Sequence, residues 1–193
     1  MLQGRVHGDL KKDQLNGAIE GALGLEQMLC NEGTLIFKFW FHLSKKQMLA
    51  RLESLKDDPL HSWRLSPLDW QQSKTYDKFV RAGEDVLRRT SRDYAPWYIV
   101  AGADANYRSL TVGRILLEGL QAVLRGSAER APLPHATPLM TRTDQRSLLD
   151  SLDMRLSLAK ADYRAQLVRE QARLAQLMRD KRMRRHACLL YTS

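Results

Sequence analysis

The chain has 193 residues, 44% of them hydrophobic, and a formal net charge of +9. That size and apolar content can bury a core, which excludes a disordered or low-complexity class, and no run approaches the roughly eighteen apolar residues of a membrane span. The N-terminal MLQGRVHGDLKKDQ lacks the apolar stretch of a signal peptide, so a cytoplasmic protein with no membrane partner is expected.

From about Lys12 to Glu32, Leu15, Ala18, Ile19, Ala22, Leu25, Met28 and Leu29 recur at three- and four-residue spacings. One face of a helix is therefore apolar, and Gly33 supplies its stop. The run Thr34 to Phe41 is short, aromatic and nearly continuous in its hydrophobicity, which reads as a strand buried on both faces and as the best candidate for a central parallel strand. Ser44 and Gln47 have the spacing of a capping box, so a helix starts there. It points Met48, Leu49, Leu52 and Leu55 inward and ends at Asp57-Asp58-Pro59, because proline disfavours helical geometry in the residue before it.

Ser66-Pro67-Leu68-Asp69 is a second start signal, with a serine cap, a proline in the first turn and an acid behind it. One helix is predicted from there to about Arg89. Ala95 to Val100 reads as a second short buried strand, followed by a turn at Ala101-Gly102-Ala103-Asp104 and a helix through Leu110, Ile115, Leu116 and Leu120. Strand, helices, strand, helix is an α/β order. Gly126 to about Thr143 contains Pro132, Pro134 and Pro138 and little periodicity, which marks a linker. Beyond it a short helix is expected over Ser147 to Asp153 and a long one over Lys160 to Arg185, with Tyr163, Leu167, Leu174 and Leu177 as its apolar stripe.

Arg155 to Arg185 holds ten basic residues against three acids, so most of the excess charge sits in this one stretch. A basic helix fits a nucleic-acid-binding accessory protein, whose affinity would fall steeply with salt. The stripe and the acidic breaks at Asp162, Glu170 and Asp180 fit an ordinary packed helix with a solvated face, so nucleic acid is not the expected partner. Cys30 and Cys188 have no second cysteine at zinc spacing, and Cys30 reads as a small buried apolar residue. Trp40 and Trp97 lie inside the predicted strands and read as core, His42 reads as a satisfied, partly buried histidine, and Trp63 is left open. Asp77 and Glu84 are assigned no metal.

KFWFHLSKKQMLARL (Lys38 to Leu52), DDPLHSWRLSPLDW (Asp57 to Trp70), Tyr76-Asp77 and RTSRDYAPWYIV (Arg89 to Val100) together resemble the polyphosphate kinase type-2 family, and within it the tandem polyphosphate:AMP phosphotransferases. Core packing alone does not specify a Trp-basic-Leu-Ser-Pro run between two helices. The resemblance implies a partial P-loop kinase-like three-layer α/β fold, helix-rich because the first strands and the phosphate loop are missing. It also implies magnesium as cofactor, polyphosphate and AMP or ADP as partners, and transfer of the terminal phosphoryl to AMP, giving ADP, in the intact protein. Such transfer depends on positioning and charge neutralisation, and hence on an anion cradle, a metal-binding acid and a basic lid.

By the same resemblance Arg51 matches an arginine of the helix begun at Ser44, Arg64 the basic residue after the lid tryptophan, and Arg5 an arginine after the metal-binding motif. Lys45, a cation in a first turn where the helix dipole slightly disfavours it, is a further phosphate-binding candidate. Guanidinium groups suit these places because each can give two parallel hydrogen bonds to phosphate oxygens. Without the resemblance, Arg51 and Arg64 would read as solvated helix and loop residues. The family's glycine-rich phosphate loop and its Asp-Arg-x-Trp-Tyr stretch do not occur in this sequence, and His61 and Ser62 stand where many catalytic copies have lysine and arginine. The C-terminal part of a degenerate first copy, including its lid, is therefore expected at residues 1–125, a linker at 126–145 and the leader helices of a second copy at 146–193. On this reading Met1 corresponds to an internal position, Cys188 to Ser193 departs from the family and is suspected to be non-native, the chain alone is inactive, and a homo-oligomeric state is left open.

Overall fold

The computed structural model describes Val6 and residues 11–58, 62–125 and 149–185. The expected linker, Arg5, His61, the first two residues of the 147–153 stretch and the end of the chain from His186 lie outside them. The described residues form two compact units: residues up to Ala103 with 149–155, and 104–125 with 156–185.

In the first unit, α1 spans Lys12–Asn31 and ends as its sequence requires. Gly33 adopts a φ of 86°. This left-handed turn lets the Gly33 and Thr34 amides return to the Cys30 and Leu29 carbonyls at 3.0 and 2.9 Å, satisfying the last turn. Leu15, Ile19 and Cys30 are buried, whereas Leu25, Met28 and Leu29, expected on the inner face, are exposed. Periodicity gives the stripe of a helix but not how far along it a partner reaches.

Strand β1 (Lys38–His42) pairs in parallel with β2 (Trp97–Ala101), Lys38 opposite Trp97 and His42 opposite Ala101. The expectation of a central strand over 34–41, buried on both faces, is corrected. The strand starts at Lys38, is paired along one edge among the described residues, and leaves Phe41 51% exposed. Its other face is core: Trp40, Val80 and Trp97 pack on buried Leu87, Ile99 and Leu149. Trp40 stacks on Phe79 with ring centroids 6.0 Å apart. Gly83 makes room for it, since a Cβ there would stand 2.7 Å from Trp40 Cη2.

α2 (Lys45–Lys56) begins with the expected box: the Ser44 hydroxyl accepts from the Gln47 amide at 3.3 Å and the Gln47 side chain accepts from the Ser44 amide at 3.1 Å. A short 3-10 turn follows at Ser62–Arg64. The single helix predicted to Arg89 is two, α3 (Pro67–Lys74) and α4 (Tyr76–Thr90), broken at Thr75. Beside the break the Ser73 hydroxyl donates to the Trp70 carbonyl at 2.8 Å, a local bond that competes with helix continuation.

In the second unit, α5 (Ala105–Leu124) is capped by Asp104, whose carboxylate accepts from the Tyr107 amide at 2.6 Å, and packs on α6 (Lys160–Met178). The helix expected to run to Arg185 stops at Met178, and residues 181–185 form a 3-10 turn. Asp180 explains the stop: its carboxylate accepts from the Arg182 amide at 2.9 Å and from the Arg182 guanidinium at 2.7 Å, closing a tight local ring. That guanidinium holds the Asp180 carboxyl down at about 2. The described part of the expected 147–153 helix consists of turns.

Candidate functional site

In parallel α/β sheets, ligands gather beyond the carboxyl ends of the strands. Here that end of β1 is His42, followed by Leu43, the Ser44 cap and α2. The start of α4 comes back to this junction. The Tyr76 hydroxyl donates to the Leu43 carbonyl at 2.7 Å and lies 3.5 Å from His42 Nε2, while the His42 carbonyl accepts from the Gly102 amide at 2.7 Å. Burial pushes the Tyr76 phenol up, with the Asp150 and Asp77 carboxylates adding to it. Burial pushes the His42 imidazole below its ordinary value against the pull of Asp150 and Glu84. The buried histidine of the sequence reading is thus observed, and so is the buried Cys30, whose thiol donates to the Tyr94 carbonyl.

Lys45, in the first turn of α2, is exposed and pairs with Asp77 at 2.8 Å. Gln47 also donates to the Met154 carbonyl at 2.9 Å, so three side-chain contacts fix the opening of α2. Arg51 lies one turn and a half further on, exposed, with no hydrogen-bond or ion-pair partner among the described residues. α2 also contacts the Ser62–Arg64 turn and α3. The backbone of Arg64 is placed in that turn, next to Trp63, which is 75% exposed. An open groove of about 480 Å³ lined by Lys56, Ser62, Leu65 and Trp70 runs here. Asp69 accepts from the Ser66 amide and hydroxyl, each at 2.8 Å, which pins the start of α3 and holds its carboxyl below the usual carboxylate range.

The sequence reading passed over Lys38. Its ammonium is nearly buried, donating to Glu26 at 2.7 Å and to the Thr90 carbonyl at 2.6 Å, and it lies 5.3 Å from the Trp97 ring. Burial pushes its pKa down, opposed by the bond to Glu26. The available cue was a lone cation in an apolar strand, since a buried charge requires a partner. Asp77 and Glu84 have structural partners, Lys45 and the Leu149 amide, the latter at 2.9 Å. Among the described residues no three His, Cys, Asp or Glu side chains converge as a metal site.

The first unit is thus helix-rich α/β with a parallel strand pair, and the helix leaving the carboxyl end of β1 carries Lys45 and Arg51. Residues 2–126 match the family described as Polyphosphate kinase 2 (PPK2), and the chain belongs to that family. It is 66% identical over 187 residues to the polyphosphate:AMP phosphotransferase of Pseudomonas syringae pv. tomato, covering 97% of this chain and 38% of that protein. Identity to the enzyme of the same name from Pseudomonas aeruginosa is 61%, with the same coverage. The crystal structure of polyphosphate kinase 2 from Arthrobacter aurescens TC1 superposes with a TM-score of 0.60 at 28% identity, covering 62% of this chain and 42% of that one. The chain thus spans well under half the length of the relatives it matches.

Proposed function

We propose that this chain is the polyphosphate-gripping part of a polyphosphate:AMP phosphotransferase, and that the intact protein moves the terminal phosphoryl of polyphosphate to AMP, giving ADP. The observation that carries it is Arg51, exposed and without a partner among the described residues, on a helix that contacts the Ser62–Arg64 turn, in a chain 66% identical to an enzyme of that name. A guanidinium left without a carboxylate retains its paired donors for phosphate oxygens. Arg64 belongs to the same grip in this reading, Lys45 joins it by exchanging Asp77 for phosphate, and Arg5 supports it from the preceding segment. Residues 1–125 are then the later part of one family domain, 126–145 a linker, and 146–193 the leader of another, in a cytoplasmic protein.

The described residues do not fit a magnesium ion, so no step is derived through one. Phosphoryl transfer needs a cation and an anion cradle beside the acceptor, and in this proposal both come from the rest of the intact protein. The 193-residue chain alone should therefore bind polyphosphate but form no ADP from AMP, polyphosphate and magnesium. ADP production by the purified chain would refute that division of labour. Arg51→Ala should weaken polyphosphate binding about tenfold, the scale of one charge-assisted pair, and Arg51→Lys should recover part of it. Equal affinities for all three proteins would remove Arg51 from the grip.

A further inference from the structure

We propose that Tyr76 is a positioning residue: its hydroxyl fixes the point where β1 gives way to α2, and thereby the direction in which α2 presents Lys45 and Arg51. The role assigned to α2 rests on the function proposed above, while the anchor itself rests on geometry alone.

Leu43 stands between the last strand residue and the Ser44 cap, so neither the ladder nor the helix satisfies its carbonyl. Tyr76 supplies the missing donor at 2.7 Å from 33 residues further along the chain. The break at Thr75 makes this reach possible, because it lets α4 start afresh with Tyr76 as its first residue. The capping box sets where α2 begins, but a local motif cannot set where a helix points. Direction requires contacts from other segments, and three reach the junction: Tyr76 to Leu43, Asp77 to Lys45, and Gln47 to Met154. The Lys45–Asp77 pair is exposed on both sides, and such pairs are worth little. Gln47 reaches Met154 through a flexible side chain whose rotatable bonds can follow a small tilt of α2. The half-buried phenol on the backbone immediately before the cap is the contact that a tilt of α2 would have to break. Its oxygen is also within 3.5 Å of His42 Nε2, which ties the same hydroxyl to the end of β1.

The test uses the full 193-residue chain with Tyr76→Phe, which removes the hydroxyl and keeps the ring, and with Ile99→Val as a core variant of similar small stability cost. Hydrogen exchange at Gln47, Met48 and Leu49 and affinity for polyphosphate, followed by isothermal titration calorimetry, are measured well below the melting temperature. Loss of one neutral hydrogen bond should speed exchange there about fivefold and weaken polyphosphate binding by about the same factor. Ile99→Val should change neither. Unchanged exchange in Tyr76→Phe, or an equal loss of affinity in Ile99→Val, overturns the proposal. If the parent chain binds no polyphosphate, the function proposed above falls. The exchange data alone then decide whether Tyr76 anchors α2: faster exchange only in Tyr76→Phe supports it, and unchanged exchange overturns it.

Discussion

The two units are held by different kinds of interaction. The first packs aromatic and aliphatic side chains around β1 and β2, with Leu87 fully buried and Trp40 seated against Gly83. The second pairs α5, which buries Leu110, Ile115, Leu117 and Leu124, with α6, a helix with no buried residue, and adds a charge cluster in which Glu170 meets Arg114 of α5 at 3.5 Å and Arg173 of its own helix at 3.0 Å. Packing is short-ranged and insensitive to salt, whereas half-exposed ion pairs are weak and screened. The candidate grip belongs to the first unit, where Arg51 has no partner among the described residues and stands on a helix whose opening is held by the Tyr76–Leu43 and Gln47–Met154 bonds together with the exposed Lys45–Asp77 pair. In α6, Arg173 reaches Gln121 of α5 at 3.4 Å, so part of the excess positive charge is used within the helix pair.

Substitutions can sharpen or break this contrast. The largest effect is expected from Leu87→Ala, which should cost about 3 kcal/mol by emptying the centre of the first core, measured by urea unfolding. A loss below about 1 kcal/mol would mean that the core is not the main support of that unit. Gly83→Ala should cost about 2 kcal/mol, because the added methyl overlaps the Trp40 ring and neither backbone nor indole can retreat freely.

A smaller effect comes from His42. Its folded value lies below the ordinary 6.5, so the unfolded chain binds the proton more readily. Its contribution is complete above 6.5 and declines as pH falls through the folded value, so melting temperature should drop on acidification in that window. His42→Asn should flatten this slope, and an unchanged slope would place the titrating group elsewhere. Smallest is Glu170→Gln in the second unit, expected to cost under about 1 kcal/mol and to cost less still in high salt. A salt-independent loss would show that the α5–α6 pair is held as the first unit is.

Much of the local structure was legible in the residues. The Ser44–Gln47 box, the Ser66–Asp69 start, the Gly33 stop and the α/β order all appear where the chain signals them. The basic candidates were legible only by resemblance, since an exposed arginine on a helix has no signature of its own. Tyr76-Asp77 was visible as a spaced pair, but nothing in its spelling says that it returns to the start of α2. Lys38 was absorbed into an apolar run although its burial depends on Glu26.

By itself the sequence determined the stop of α1 and the starts of α2 and α3, because caps and left-handed turns are settled by residues three or four apart. Only tertiary structure decided which faces are covered, the register of β1 against β2, and the Tyr76 tie to Leu43. Each of those joins or positions segments separated by tens of residues, where the deciding term is the fit between surfaces that neither segment encodes alone.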